Sequence, residues 1–490
     1  MQSRRDVLRV LGAAPVGAGM ISRQTAARSA SSISNLDNSI VQRSNFSYDG
    51  ESKKVTVELS YQIPPSVTEL TIGSVPEEFE RVSVDTKNLK QEDKYTHVWS
   101  GGSPPNITID ILYKSDNLAD GFYGYASKKS ALVGTIDTDP SWRYSTESPD
   151  FVRESEVNGE GYAGTETVYL GPHERYLRNI EDKQLALIVP EEVTKPIDGT
   201  DILDVLQLGL NNLKPRFERE KYTAFVFSSV RQGNYTRGRA IATDMLLSEE
   251  VAQAGKYTPP HEFAHTIYGV FDGEEMYWLK EGIAQYIGHL LNLNAGVITF
   301  EQFISNIRTE RYKNVNLSNY SSSESGDADY RKGAHVLAAL DAEIRIRSGS
   351  QNTLIDVMGV EDADLSTYEG FESAVTRFSG DSEITDWLDK YIRSSQLPEI
   401  PSEPQYFTLD SSSVDDFRTP TPTSTPTQSP TENRMQTETP QPQQTPREPA
   451  TIEDLGTPSP NNPSGIEAMI QELIKDGSEV LNHVIKLIGQ

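Results

Sequence analysis

Cysteine is absent from the 490 residues, so no disulfide framework or thiolate metal site can exist, and any transition metal must be held by histidine and carboxylate. Histidine is itself scarce, with 7 in the chain, so two of them close together carry information. Basic residues are outnumbered: 45 Lys and Arg face 72 Asp and Glu, and the formal net charge is -27. A surface of that sign repels polyphosphate, which excludes nucleic acid and an anionic membrane as expected partners of the folded surface. No uninterrupted apolar run reaches the roughly 18 residues of a membrane-crossing helix, so none is predicted. What is present, 36% hydrophobic residues over a length well beyond one typical domain, predicts two folded units with tails.

The texture changes along the chain. In residues 1–35, Arg4 and Arg5 precede a modest apolar stretch and small residues follow from Ala26 to Ala30; this resembles a twin-arginine export signal and predicts an extracellular or cell-surface protein. The acidic bias resembles that of proteins from halophilic microbes, or an ordinary acidic secreted protein. Residues 36–170 have period two, as in Val55, Val57, Leu59 and Tyr61 and in Ile107, Ile109 and Ile111, and read as an antiparallel β domain. The acidic stretch 136–160 within it carries no assignment. Residues 171–400 open with strand-like LALIVP and YTAFVFSS around a helical DILDVLQLGLNNLKPRF, and RAIATDMLL (239–247) reads as one further strand. From Thr258 nearly every segment has helical period. The predicted class is α+β: a β domain, then a small mixed sheet with a helical bundle. Residues 401–465, rich in Thr, Pro, Gln and Ser, cannot bury a core and read as a disordered, extended stalk. Residues 466–490 return to helical period, with Ile466, Ile470, Leu473, Ile474, Leu481 and Val484 on one stripe. They read as an amphipathic helix, for self-association, envelope attachment or docking on the folded part.

One stretch carries chemistry: HEFAHTIYGVFDGEEMYWLKEGIAQY, residues 261–286. Positions i and i+4 of a helix share a face, so His261 and His265 can direct imidazole nitrogens at one ion about 2.0–2.1 Å away. Glu262 then projects beside that ion, where a general base stands to take a proton from water whose pKa the metal lowers to about 7. A catalytic zinc site needs a third protein ligand. Phe271 stands where a further histidine six residues after His265 would be, which excludes the three-histidine pattern; Glu281 on the next predicted helix, with Glu274 and Glu275 in the turn before it, are the carboxylates that follow. Gln285, one turn after Glu281, is placed either to orient a ligand or to face solvent. His289 and His335 read as packed or surface histidines.

The Lys280-Glu281-Gly282 segment sixteen residues after His265 resembles the gluzincins, and Tyr330-Arg331-Lys332-Gly333 followed by LDAEIRIRSGS resembles the M61 glycyl aminopeptidases among them and, more distantly, the M1 aminopeptidases. The resemblance covers roughly residues 40–395. It implies a thermolysin-like catalytic domain, Zn2+ held by His261, His265 and Glu281, Glu262 as base, Tyr330 as oxyanion donor, and a peptide or protein substrate. Two departures stand out. The stretch 233–242, where relatives carry a glutamate that helps hold the substrate amine, has none here and has Arg237 and Arg239 instead. The PDZ-like domain common at the end of M61 proteins is replaced by the stalk. The alternative to a zinc metallopeptidase is a non-catalytic cell-surface binding or attachment module on the same scaffold, which would have no need of Glu262.

Overall fold

Val55, Val57, Leu59 and Tyr61 alternate with exposed or half-exposed neighbours along the strand Lys54–Gln62 and are all buried, because a period of two puts every second side chain on one face. The computed structural model that shows this describes residues 20–23 and 38–409, apart from 74–80, 94–95, 114, 119–123, 217–218, 232–237, 270–273 and 321–325. Most of the expected export signal, the stalk beyond 409 and the helix at 466–490 lie outside the described residues.

The N-terminal part holds three sheets. One runs in the order Asp150–Val157, Ser39–Asp49, Lys54–Gln62, Asn106–Leu112, Arg81–Lys87, and the others are built around Val67–Gly73 and Ala131–Gly134. Pairing is antiparallel with one exception: Asp150–Val157 lies parallel to Ser39–Asp49. The acidic stretch left unassigned from the sequence thus supplies two strands, Ser141–Tyr144 and Asp150–Val157. Their anchors are buried Trp142 and Phe151, whose rings stack at 5.8 Å.

The second part is a five-stranded mixed sheet in the order His173–Ile180, Lys183–Pro190, Lys221–Phe227, Asp244–Ser248, Gly238–Ile241. Helix α1 (Gly199–Asn212) crosses between the two parallel strands Lys183–Pro190 and Lys221–Phe227. Both faces of the three central strands, Lys183–Pro190, Lys221–Phe227 and Asp244–Ser248, are buried, which is why they read as continuous apolar runs. Leu185, Leu187, Tyr222, Ala224 and Val226 face the helical core, while Ala186, Ile188, Phe225, Phe227 and Leu246 pack with Tyr125, Leu132, Tyr162 and Tyr169 of the β part.

RAIATDMLL, expected as one strand, is two. Gly238–Ile241 turns back through Ala242, whose φ of 51° is left-handed, into Asp244–Ser248. The physical reason is Asp244, fully buried, whose carboxylate accepts the N–H groups of Thr165, Glu166 and Thr167 at 3.1, 2.7 and 2.8 Å and so fixes the start of the second strand. That contact also ties the sheet to the β-turn before Thr167–Leu170.

The helices follow: α2 (Glu249–Ala254), α3 (Thr258–Tyr268), α4 (Tyr277–Asn294), α5 (Phe300–Ile307), α6 (Ala328–Arg347), α7 (Leu354–Met358), α8 (Tyr368–Ser379) and α9 (Ile384–Tyr391). The packed chain runs on to Leu409, past residue 401 where composition alone began the stalk. Phe407 is fully buried against Phe300 and Phe303, and Asn294 bonds its carbonyl at 3.0 Å and the Leu409 N–H at 2.9 Å.

Candidate metal centre

Helix α3 starts at Thr258 with Pro259 and Pro260 in its first turn, where a missing N–H costs nothing. Its Phe263 plugs the core against Tyr222, ring centroids 5.7 Å apart, and against α1 at Gly209. That anchoring turns His261 and His265 toward α4, their rings 4.9 Å apart and nearly perpendicular. Two glycines then set α4 in place. A Cβ on Gly288 would lie 3.1 Å from the His261 backbone nitrogen. A Cβ on Gly282 would lie 3.0 Å from the Gly333 Cα of α6. Helix α4 is therefore held at close range by α3 on one side and α6 on the other, and Glu281 sits between the two contacts.

The result is a triad of donors. Glu281 Oε2 lies 3.2 Å from His265 Nε2 and 3.5 Å from His261 Nε2, and the three groups can bring their ligand atoms within 4.8 Å of one another. Tetrahedral zinc with bonds of about 2.0–2.1 Å has ligand-to-ligand edges of about 3.3 Å, so two imidazoles and one carboxylate at these separations fit that ion. Among the described residues no other such group occurs. Glu275, one of the alternatives for the third ligand, is exposed in the short turn before α4.

Electrostatics follow from burial. Burial alone would raise the Glu281 carboxyl, yet hydrogen bonds from His261 and His265 hold it well below its ordinary range. Glu262, 7% exposed, is pushed up to about 7 by burial, which outweighs the opposing pull of His261. It lies under the edge strand Gly238–Ile241: a Cβ on Gly238 would meet its Oε1 at 2.8 Å, and the Ala240 N–H donates to its carboxylate. Arg239, the next residue, projects to the opposite face of that strand and is exposed; Arg237 lies outside the described residues.

Tyr330, on the first turn of α6, stacks on His261 at 5.7 Å; burial, and then the nearby Glu281 carboxylate, hold its pKa well above the ordinary value. All five residues singled out from the sequence, His261, Glu262, His265, Glu281 and Tyr330, thus converge. Gln285 does not orient a ligand: it bonds His289 at 2.9 Å. His335 stands away from the site, between the Thr309 N–H and the Pro398 carbonyl. Three contributors had escaped sequence reasoning. Gly282 and Gly333 were read only as parts of motifs, and Tyr257, one turn before His261, carried no signal beyond its spacing. His289, buried with its pKa lowered to about 4 by burial and then by His261, belongs to the neighbourhood of the site.

No protein-family model matches the chain, and no curated protein matches its sequence significantly. Solved structures that it resembles in shape include the M1 zinc metallopeptidase from Deinococcus radiodurans, at 14% identity over 74% of this chain and 95% of that one with a TM-score of 0.43. Another is an aminopeptidase N family protein from Idiomarina loihiensis, at 13% identity over 74% and 76% with a TM-score of 0.43. Likeness at that level is distant, and no chemistry follows from it.

Proposed function

We propose that this chain is a zinc-dependent metallopeptidase of the gluzincin type, with M61 as its nearest pattern, acting on peptide or protein substrates. The observation that carries this reading is the meeting of His261, His265 and Glu281 with Glu262 beside them and Tyr330 stacked on His261. His261, His265 and Glu281 hold the ion. Bound zinc supplies Lewis acidity, acidifying water and polarising a carbonyl oxygen. Glu262, buried, takes the proton of the attacking water and delivers it to the leaving amine. The Tyr330 hydroxyl would donate to the developing oxyanion, a contribution of about 3 kcal/mol for one such donor.

The same reading extends to export through the N-terminal arginine pair, to work at high salt, and to attachment through residues 466–490. The test is mass spectrometry of a peptide mixture incubated in high salt with the zinc-loaded protein and with Glu262→Gln. Cleavage by the first and not the second supports the peptidase, and the positions of the cuts separate internal from terminal cleavage. Bound zinc without cleavage by either favours the binding module.

A further inference from the structure

Three features converge on one flank of the metal centre and take no part in the chemistry above. Tyr257 has φ 63° and ψ -66°, and the Thr258 N–H donates across it to the Lys256 carbonyl at 2.8 Å. This is a γ-turn of the strained hand, one that L side chains rarely adopt and that persists where the surroundings impose it, commonly at functional sites. The turn presents the Tyr257 ring outward, 40% exposed, with its hydroxyl accepting from the Asn306 side chain at 3.1 Å.

The second feature is what the ring covers. Its centroid lies 5.1 Å from that of His289, which is 4% exposed. His289 Nε2 sits 2.9 Å from the Gln285 amide nitrogen and accepts its N–H, which leaves the ring proton on Nδ1. That Nδ1 has no hydrogen-bond partner among the described residues. A buried donor left unpaired is uncommon, and a ligand oxygen is one way to satisfy it. The third feature is position. Gln285 and His289 follow Glu281 at one and two turns on the same face of α4, and Tyr257, at the N-cap of α3, accepts the His261 N–H on its carbonyl at 3.0 Å, so the three lie on one flank of the candidate ligands.

Building on the peptidase reading, we propose that Tyr257, Gln285 and His289 form a substrate side-chain subsite beside the metal centre, and that it takes an uncharged planar amide, the side chain of Asn or Gln. The amide plane lies on the Tyr257 ring, and its oxygen accepts from His289 Nδ1.

The test maps cleavage of a peptide pool by the zinc-loaded full chain, by Tyr257→Gly and by His289→Leu, with melting curves for each. Wild type is expected to enrich Asn or Gln at one of the two positions flanking the cut. Glycine adopts the γ-turn without strain, so Tyr257→Gly is expected to melt no lower than wild type while its kcat/KM ratio of Gln over Leu peptides falls about tenfold. His289→Leu, which keeps the bulk and removes the donor, is expected to lower the same ratio. Cleavage without enrichment, or variants that keep the wild-type ratio, overturns the subsite. A Tyr257→Gly protein that melts well below wild type with its ratio intact assigns the ring to packing and also overturns it. Absence of cleavage by wild type overturns the peptidase reading, and the subsite with it.

Discussion

Replacing Gly282 by alanine puts one methyl group where α4 meets α6. The added Cβ would stand 3.0 Å from Gly333 Cα, 3.1 Å from its carbonyl carbon and 3.2 Å from the Asp329 carbonyl oxygen. All three are backbone atoms, so no side chain can swing away. Carbon contacts relax to about 3.5–4.0 Å, so the helices must part by roughly 0.5–1 Å. Overpacking of this kind costs about 1–3 kcal/mol. Alanine in a helix interior returns about 1 kcal/mol over glycine. The net loss of stability is therefore small, from near zero to about 2 kcal/mol. Function is the sharper readout. Glu281 is bonded directly to Gly282 and Tyr330 lies one turn before Gly333, and a misplacement of about 1 Å in such a constellation costs on the order of 100-fold in rate. Gly282→Ala is expected to lower kcat/KM by about 10- to 100-fold with a modest change in melting temperature. Gly333→Ala, whose Cβ would meet one atom at 3.0 Å and its next neighbours, the Trp278 ring and carbonyl oxygen, only at 3.4 and 3.5 Å, should be milder. A Gly282→Ala enzyme with wild-type kcat/KM and a raised melting temperature would refute the claim that this crossing sets the site.

Asp341, fully buried, accepts from the Tyr286 hydroxyl at 2.5 Å and the Leu354 N–H at 2.7 Å and pairs with Arg345 at 3.4 Å; Asp341→Ala should cost about 3–5 kcal/mol in a denaturant titration, and a loss under about 1 kcal/mol would contradict this. His335 accepts the Thr309 N–H and donates to the Pro398 carbonyl, so only the neutral ring serves both, and burial lowers its pKa below the ordinary 6.5. The unfolded chain then binds the proton first as pH falls, so stability is lost on acidification through 6.5; urea midpoints between about pH 8 and 5 should fall less for His335→Gln than for wild type. Zinc at about 100 times its Kd should add about 2.7 kcal/mol of stability, seen as a rise in melting temperature that a chelator reverses. In Glu281→Gln that rise should vanish, and its persistence would remove Glu281 from the ligand set.

Whereas Glu281, sixteen residues further on and on another helix, was legible only through the resemblance to the gluzincins, His261 and His265 were legible because a spacing of four is a property of the helix itself and fixes the face they share. Val55, Val57 and Leu59 revealed their strand for the same reason. What stayed hidden depends on partners distant in sequence. Nothing near Asp244 announces that three N–H groups seventy-odd residues away will grip it and split a predicted strand into a hairpin. The strand Asp150–Val157 was obscured by its charges, since the residues that anchor it are few and its partner, Ser39–Asp49, lies far back in the chain. Likewise Phe407 sits just past a polar, proline-containing run, and only the pocket formed with Phe300 and Phe303 makes it part of the core.

The clip at Asn294 has a mechanical meaning. Its side chain holds the backbone at Phe407 and Leu409, and it stands at the C-terminal end of the helix that carries Glu281, thirteen residues and about 20 Å along a single rigid rod. Any tension on the chain beyond Leu409 is delivered first to two hydrogen bonds and one aromatic plug at that rod's end. They form the first barrier to peeling the chain off, and while they hold, the load enters α4 far from the metal centre. If they give, the next stretch to be pulled runs back to Pro398 and the His335 bond on α6, the helix that bears Tyr330.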